Sequence, residues 1–260
     1  MIDYIKISLL WIYQLIFNRK IISKSKNFWH MNKNKHKGER VFIVCNGPSL
    51  SYEDLDQLKE EFTIACNKIY LAYQNTDWRP TYLSVTDRIL WPKISKEIYN
   101  FHTPVILTSN LFSKNNQSIY IKSLGYYKNY EKSNFSFDMN LGAFSGLTVT
   151  YLNMQIAAHL GFEEIYLIGC DHFYDEKNVS SKGNFKNIPK AVKHEKNNHF
   201  HPEYRKEGEK VNYADIALMT EAYENAKIEL SKRNIKVYNA SRKTNLNTFD
   251  KVNFDQLFKV

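Results

Sequence analysis

Residues 41–49 read Val-Phe-Ile-Val-Cys-Asn-Gly-Pro-Ser. Five apolar residues run without a polar interruption into an Asn-Gly-Pro turn signal, the pattern of a short strand. A strand wetted on one side alternates apolar with polar residues, whereas one that does not alternate is covered on both faces, as in a parallel sheet between helical layers. The same signature recurs at residues 62–66, 81–85, 104–108, 164–169 and 235–238, with helical spacing between the runs. These runs predict an α/β fold with a doubly wound, mainly parallel, Rossmann-like sheet.

Two helices stand out. Residues 145–160 are apolar on most sides and stop at Gly161, a residue suited to the left-handed cap position. Residues 213–233 are amphipathic, with Ile216, Met219, Tyr223, Ala226 and Leu230 on one face. Between them, residues 175–209 are polar, rich in His and Lys and without period, which predicts an irregular lid.

The charge is unevenly spread. The 260 residues carry a formal net charge of +9, and residues 1–40 alone hold nine basic side chains against Asp3 and Glu39, leaving only +2 for the rest. A nearly neutral body is poorly suited to neutralising a row of nucleic-acid phosphates, so a nucleic-acid partner is excluded. A local basic end suits an anionic membrane surface instead. Residues 7–18 are uncharged, but this run is shorter than the ~20 residues a membrane span requires. Its charge follows the apolar stretch and no small-residue cleavage site appears, unlike a secretory signal. Ile2, Ile5, Leu9, Ile12 and Ile16 recur at helical spacing, as in a helix lying in a membrane interface. Residues 1–40 therefore read as an amphipathic basic helix followed by a linker at 33–40, and residues 41–260 as one catalytic domain including the lid. Three cysteines without a CxxC pair form neither a disulfide framework nor a zinc signature. The expected location is cytoplasmic, peripheral at the inner face of the cytoplasmic membrane.

In an open parallel sheet the ligand binds beyond the carboxyl ends of the strands. The residues there are Asn46, Gly47, Pro48 and Ser49 after the first run, Asn67 after the second, Asp87 after the third, and Asp171 and His172 after the fifth. The Asn46–Ser49 turn reads either as a phosphate loop or as a structural turn; neither GxGxxG nor GxxxxGK[ST] is present. Ser145 and Gly146 open the most apolar helix, and such a terminus offers free amides to an anion. His194, His199 and His201 cluster in the lid with Tyr204, and a histidine there can act as a general base at neutral pH. Asp87 lacks the second carboxylate of a DxD motif, and the histidines lack a third ligand of fixed spacing, so no metal site is expected.

The order of these motifs, from Val41-Phe42-Ile43-Val44-Cys45-Asn46-Gly47-Pro48-Ser49-Leu50 through Cys66-Asn67 and Ser145-Gly146 to the run from Leu160 to Asp171, resembles the bacterial sialyltransferases of glycosyltransferase family 42. It is similar also to the hydroxymethylpterin-diphosphokinase-like (MptE-like) proteins of surface-polysaccharide clusters. The resemblance implies a single-Rossmann, GT-A-like variant in which Asn46 and Asn67 hold the nucleotide, and Ser145 and Gly146 touch the donor phosphate. It also implies that Asp171 ends the later strand of the site and that Tyr174 assists the leaving group. The catalytic base falls in the segment 198–204, with His199 preferred over His201. The implied activity is metal-independent transfer of a sugar, sialic acid being the resemblance's own example, from a nucleotide-sugar donor to a membrane-associated glycan such as lipooligosaccharide. The nucleotide-sugar is a co-substrate and no cofactor is expected; a homo-oligomer is compatible with the sequence. The alternatives are an ATP-dependent diphosphokinase acting on a pterin-type alcohol, with Asp87 and Asp171 as the placed magnesium ligands, and a non-catalytic nucleotide-binding protein.

Overall fold

The computed structural model describes residues 18–101, 104–109, 118–126, 134–174, 190–192, 198–212 and 214–259. The apolar segment before residue 18 and most of the expected lid, His194 included, lie outside the described residues.

Among the described residues the twelve strands are β1 (Arg40–Val44), β2 (Thr63–Cys66), β3 (Tyr82–Val85), β4 (Val105–Thr108), β5 (Ile119–Tyr120), β6 (Ser123–Tyr126), β7 (Ala143–Ser145), β8 (Glu164–Ile168), β9 (Lys190–Ala191), β10 (Lys210–Val211), β11 (Lys236–Asn239) and β12 (Asp250–Lys251). The helices are α1 (residues 18–32), α2 (Tyr52–Gln57), α3 (Trp91–Ile98), α4 (Val149–Leu160) and α5 (Ile216–Ser231). Eight strands form one sheet in the order β12-β11-β8-β1-β2-β3-β4-β5. Every neighbouring pair in it is parallel. The six runs read from sequence are all strands of this sheet, each within a residue of its expected bounds.

The lack of alternation has the expected cause. Val41 and Ile43 point into a core shared with Trp29 of α1, Met154 of α4 and Tyr223 of α5. Phe42 and Val44 point the other way, onto Leu55 of α2 and Ile94 and Ile98 of α3. The chain runs outward from β1 to β5 and then returns to β8 on the opposite side of β1. The switch point between β1 and β8 is where a crevice opens at the strands' carboxyl ends.

Helix α4 holds this arrangement together. All of its residues from Thr150 to Leu160 are buried, including Asn153, Gln155 and His159. Asn153 Oδ1 accepts from Ser84 Oγ of β3 at 2.7 Å. Gln155 Oε1 accepts from the amides of Ser136 and Phe144, each at 3.0 Å, and its Nε2 donates to Phe144 O at 2.9 Å. His159 Nδ1 accepts from Met139 N at 3.3 Å while Nε2 donates to Trp29 O at 2.9 Å. Gly161 ends the helix at φ 97°, where a side chain would press on Asn34.

Two expectations are corrected. Residues 33–40 are not a linker: the amides of Asn34 and His36 donate to the carbonyls of His159 and Leu160, and the His36 ring stacks on Phe162 at 4.6 Å. Trp29 is 1% exposed, and burying an indole removes on the order of 200 Å² from water, about 5 kcal/mol by area. The segment from residue 18 onward thus belongs to the domain core, and no boundary falls at residue 40. The second correction is that α4 starts at Val149, not at Ser145. Leu147 sits in the left-handed region at φ 60°, which breaks the helical path, and the Thr148 hydroxyl caps Thr150 N at 3.3 Å. Likewise α5 starts at Ile216 beneath its Asp215 cap. No helix among the described residues is long and apolar enough to cross a membrane.

The bonding of His159 makes it neutral with its proton on Nε2, and burial lowers its pKa from the ordinary 6.5. Below that pH the unfolded chain binds a proton that the native chain resists. This group therefore leaves stability untouched above pH 6.5 and erodes it as the pH falls further, by at most about 1.4 kcal/mol per pH unit. Thermal melts at a series of pH values from about 7.5 to 5.5 should show a steeper acid loss of Tm for the native chain than for His159→Gln. Parallel curves would remove His159 from this role.

Candidate functional site

A cavity of about 1060 Å³ lies over the carboxyl ends of β1, β2, β3 and β8 and reaches the starts of α4 and α5. Of the residues expected at the site, Asn46, Gly47, Asn67, Asp87, Ser145, Asp171, His172, Tyr174, His199 and Tyr204 line it, whereas Pro48, Ser49, Gly146 and His201 do not.

The turn after β1 is structural. Gly47 N donates to Gly169 O at 2.8 Å, Leu50 N to Gly47 O at 3.1 Å, and Ser49 N to Asp171 Oδ2 at 2.7 Å, with the Ser49 hydroxyl on Asp171 Oδ1. Pro48 has no amide hydrogen. No amide of Gly47, Ser49 or Leu50 is left for an anion, which decides against the phosphate-loop alternative. A Cβ on Gly47 would lie 2.6 Å from both Asp171 Cγ and Gly169 O, so glycine is needed for the close approach of two strand ends rather than for a ligand. Asp171 is the clasp between those ends; burial pushes its carboxyl up from the ordinary range, against the two Ser49 hydrogen bonds that pull it down.

The other expected contacts sort in the same way. Ser145 ends β7 and its hydroxyl accepts from Leu147 N at 3.3 Å. At Gly146 a Cβ would meet Tyr151 and Ala222, so this glycine lets α4 pack against α5. Asp87 Oδ1 accepts from the amides of Ile89 and Leu90 at 2.7 and 3.2 Å, ahead of α3, and its Oδ2 meets Asn212 Nδ2 at 3.4 Å. Asp215, missed from sequence, also lines the cavity and caps α5 through Leu218 N at 3.1 Å. Each carboxylate in the wall is therefore engaged by backbone amides. No cluster of three or more metal-ligating side chains occurs among the described residues.

The amides Asn46 and Asn67 are held but not saturated. Asn46 Nδ2 donates to Cys66 O at 3.1 Å, and the Asn67 side chain hydrogen-bonds the Tyr204 hydroxyl, while the Oδ1 atom of each is buried without a partner. Asn67 occupies the left-handed region at φ 54°, tolerated because a short amide side chain is the least strained there after glycine. The three thiols lie on the cavity floor; burial pushes the Cys66 thiol well up, and the hydrogen-bond contact with Cys45, with burial behind it, does the same for Cys170, so these two stay protonated and unreactive.

Histidines approach from two sides. His172, at φ 53°, has its Nε2 at 2.8 Å from Thr220 Oγ1. That hydroxyl gives its proton to Ile216 O at 2.8 Å, so it accepts from His172 and leaves Nδ1 as a bare lone pair without a partner. Burial lowers the pKa of this ring and keeps it neutral. His199 stacks face to face on Tyr204, 3.8 Å between ring centres and 7° between planes. Its segment is tied to the sheet by Phe200 N donating to Asn46 O at 3.0 Å and by Lys68 Nζ donating to Tyr204 O at 2.6 Å. His201 Nδ1 accepts from Glu203 N, away from the cavity wall. The Tyr174 hydroxyl, pushed up to about 12 by burial, is a proton donor at neutral pH.

The cations of the wall, Arg88 and Arg205, were also missed. Each directly follows a residue singled out from sequence, Asp87 and Tyr204, and a strand-end rule extended by one position finds Arg88. Asn212, Thr148 and Thr150 complete the set of polar groups that sequence spacing does not reveal.

An all-parallel sheet with a polar crevice at its switch point is a Rossmann-like α/β domain of the kind that accommodates nucleotides. The chain belongs to the family described as 6-hydroxymethylpterin diphosphokinase MptE-like, which its residues 14–177 match. A solved structure of the MAf glycosyltransferase from Magnetospirillum magneticum AMB-1 shares the fold, with a TM-score of 0.50 and 15% sequence identity over 92% of this chain. The chain spans 39% of the length of that protein. No curated protein sequence matches it.

Gly47→Ala should cost about 2–3 kcal/mol, because neither Gly169 O nor the clasped Asp171 can withdraw. Urea unfolding that gives the variant native stability would contradict the close-approach account.

Proposed function

We propose that the protein is a metal-independent glycosyltransferase, moving a sugar from a nucleotide-sugar donor to a glycan acceptor at an anionic membrane surface on the cytoplasmic side. The supporting observation is the state of the carboxylates. A diphosphokinase needs carboxylate oxygens beside the phosphates to hold magnesium. Asp171 is clasped to Ser49, and Asp87 to Ile89, Leu90 and Asn212. The diphosphokinase reading keeps the support of the family description, which names that activity.

In the proposed reaction Asn46 and Asn67 face the nucleotide, and the protonated Tyr174 hydroxyl stabilises the departing phosphate by a hydrogen bond. His199 removes the proton of the acceptor hydroxyl; of the two lid histidines preferred from sequence it alone lines the cavity, and stacking on Tyr204 fixes its ring. Sialic acid is the donor sugar if the nucleotide is CMP.

A thermal-shift screen of CMP, UDP, GDP and ATP, each with and without magnesium, tests the choice. A ligand at 100 Kd adds about 2.7 kcal/mol, a shift of a few degrees. We expect a response to one pyrimidine or guanine nucleotide regardless of magnesium. A response to ATP only with magnesium establishes the diphosphokinase, and no response at all favours neither enzyme. With the donor in hand, His199→Ala should lower kcat by roughly 10²–10⁴ and leave donor binding within a few-fold, whereas His201→Ala should retain activity.

Association with the membrane rests on α1. Arg19, Lys20, Lys24 and Lys26 are all exposed on it, while Ile21, Ser25 and Trp29 face inward. At about 1 kcal/mol per cation near an anionic leaflet, replacing these four by Gln should weaken binding of the full chain to phosphatidylglycerol vesicles about 100-fold or more. Equal co-sedimentation of variant and native chains refutes the membrane contact by this face.

A further inference from the structure

We propose that Arg88 and Arg205 form a clamp for the phosphate or diphosphate of the bound substrate, Arg88 reaching from the end of β3 and Arg205 from the segment that carries His199. This rests on the proposal that the cavity takes a nucleotide.

The charged groups of the cavity wall differ in how they are engaged. The cavity wall holds three carboxylates, Asp87, Asp171 and Asp215, and all three are occupied by backbone amides. It holds two guanidinium groups, and neither has a hydrogen bond or an ion pair among the described residues. Guanidinium groups are the side chains best shaped for two-pronged binding of phosphate; Arg205 is half-buried and Arg88 exposed at the cavity, and with no internal partner both are available to an anion. The neighbouring lysines do not compete. Lys68 is committed to Tyr204 O and to Glu209, at 2.6 and 3.6 Å, and Lys93 to Glu209 and Lys210 O, at 2.8 and 3.0 Å.

Position supports the pairing. Arg205 lines a recess of about 50 Å³ together with Asp87 and Ile89, the two chain neighbours of Arg88, so the backbone at Arg88 lies near Arg205 while the Arg88 side chain lies outside that recess, on the wall of the main cavity. Its charge also reaches Tyr174 and Tyr204, pulling down both phenol groups that burial pushes up. It thus stands beside the tyrosine expected to donate to a departing phosphate. With the turn after β1 unable to offer its amides, these two side chains supply the positive charge that a phosphate needs. An anion held between them ties the His199 segment to the sheet, so binding of the substrate also sets the base in place.

The test is calorimetric titration of the full chain with inorganic pyrophosphate, CMP, ATP and cytidine, without magnesium. We expect Arg88→Met and Arg205→Met each to weaken pyrophosphate about ten-fold or more, as loss of a charge-assisted contact does, with no change in any affinity for cytidine. Arg205→Lys should recover part of the loss, keeping the charge without the fork. Melting temperatures should stay native, since neither side chain has a partner to lose and methionine keeps the apolar stem. Pyrophosphate affinity unchanged in both variants overturns the clamp, as does a native chain that ignores pyrophosphate at millimolar concentration. Pyrophosphate binding that depends on both arginines, in a chain that responds to no nucleotide, upholds the clamp and defeats the nucleotide-sugar reading instead.

Discussion

In a helix buried on every side, each polar group left without a partner costs on the order of 1–3 kcal/mol. Helix α4 is in that position, and its answer to the constraint organises the molecule. Asn153 bonds to β3, Gln155 captures both the amide and the carbonyl of Phe144, and His159 joins Met139 to Trp29. Segments that share no secondary structure with one another are thereby referenced to one axis. The start of the same helix lies in the cavity wall, so the site inherits its rigidity from bonds made about one to three turns away.

The site shows how residue types that suggest chemistry can be spent on architecture. Asp171, Asp87 and Asp215 each sit at a strand or helix end in the cavity wall. There the nearest partners are unpaired amides, and a carboxylate satisfies them more strongly than a neutral group does. What remains for a substrate is the complement: two guanidinium groups, a bare imidazole lone pair on His172, and two amide oxygens without partners.

The parallel sheet was legible in the sequence because burial on both faces leaves uniform runs, and six such runs are strands. The pairs β6–β7 and β9–β10 were not, since they are two to four residues long and mix Ser, Gly and Lys with apolar side chains. Ser145 and Thr148 are equally good caps by composition, and only the left-handed Leu147 between them decides which is used. Residues 33–40 read as a linker because what buries His36 and anchors Asn34 lies far away, at residues 159–162. Gly47 stood out in sequence only as part of a turn signal, and the group that approaches it is Asp171, 122 residues beyond Ser49. Local pattern thus reported which positions are constrained, and tertiary contacts determined by what.

The placement of β1 between β2 and β8 has a consequence for the chain's birth on the ribosome. One edge of β1 can be covered as soon as β2 emerges, but the other waits for β8. At about 5–20 residues per second the intervening stretch takes on the order of ten seconds to synthesise. Throughout that interval the nascent protein presents a strand that is apolar from Val41 to Val44, with one open row of amides and carbonyls, a template for pairing with any other extended chain nearby. The central strand of the finished molecule is thus the most vulnerable element of the unfinished one, and its folding yield depends on what shields that edge until β8 arrives.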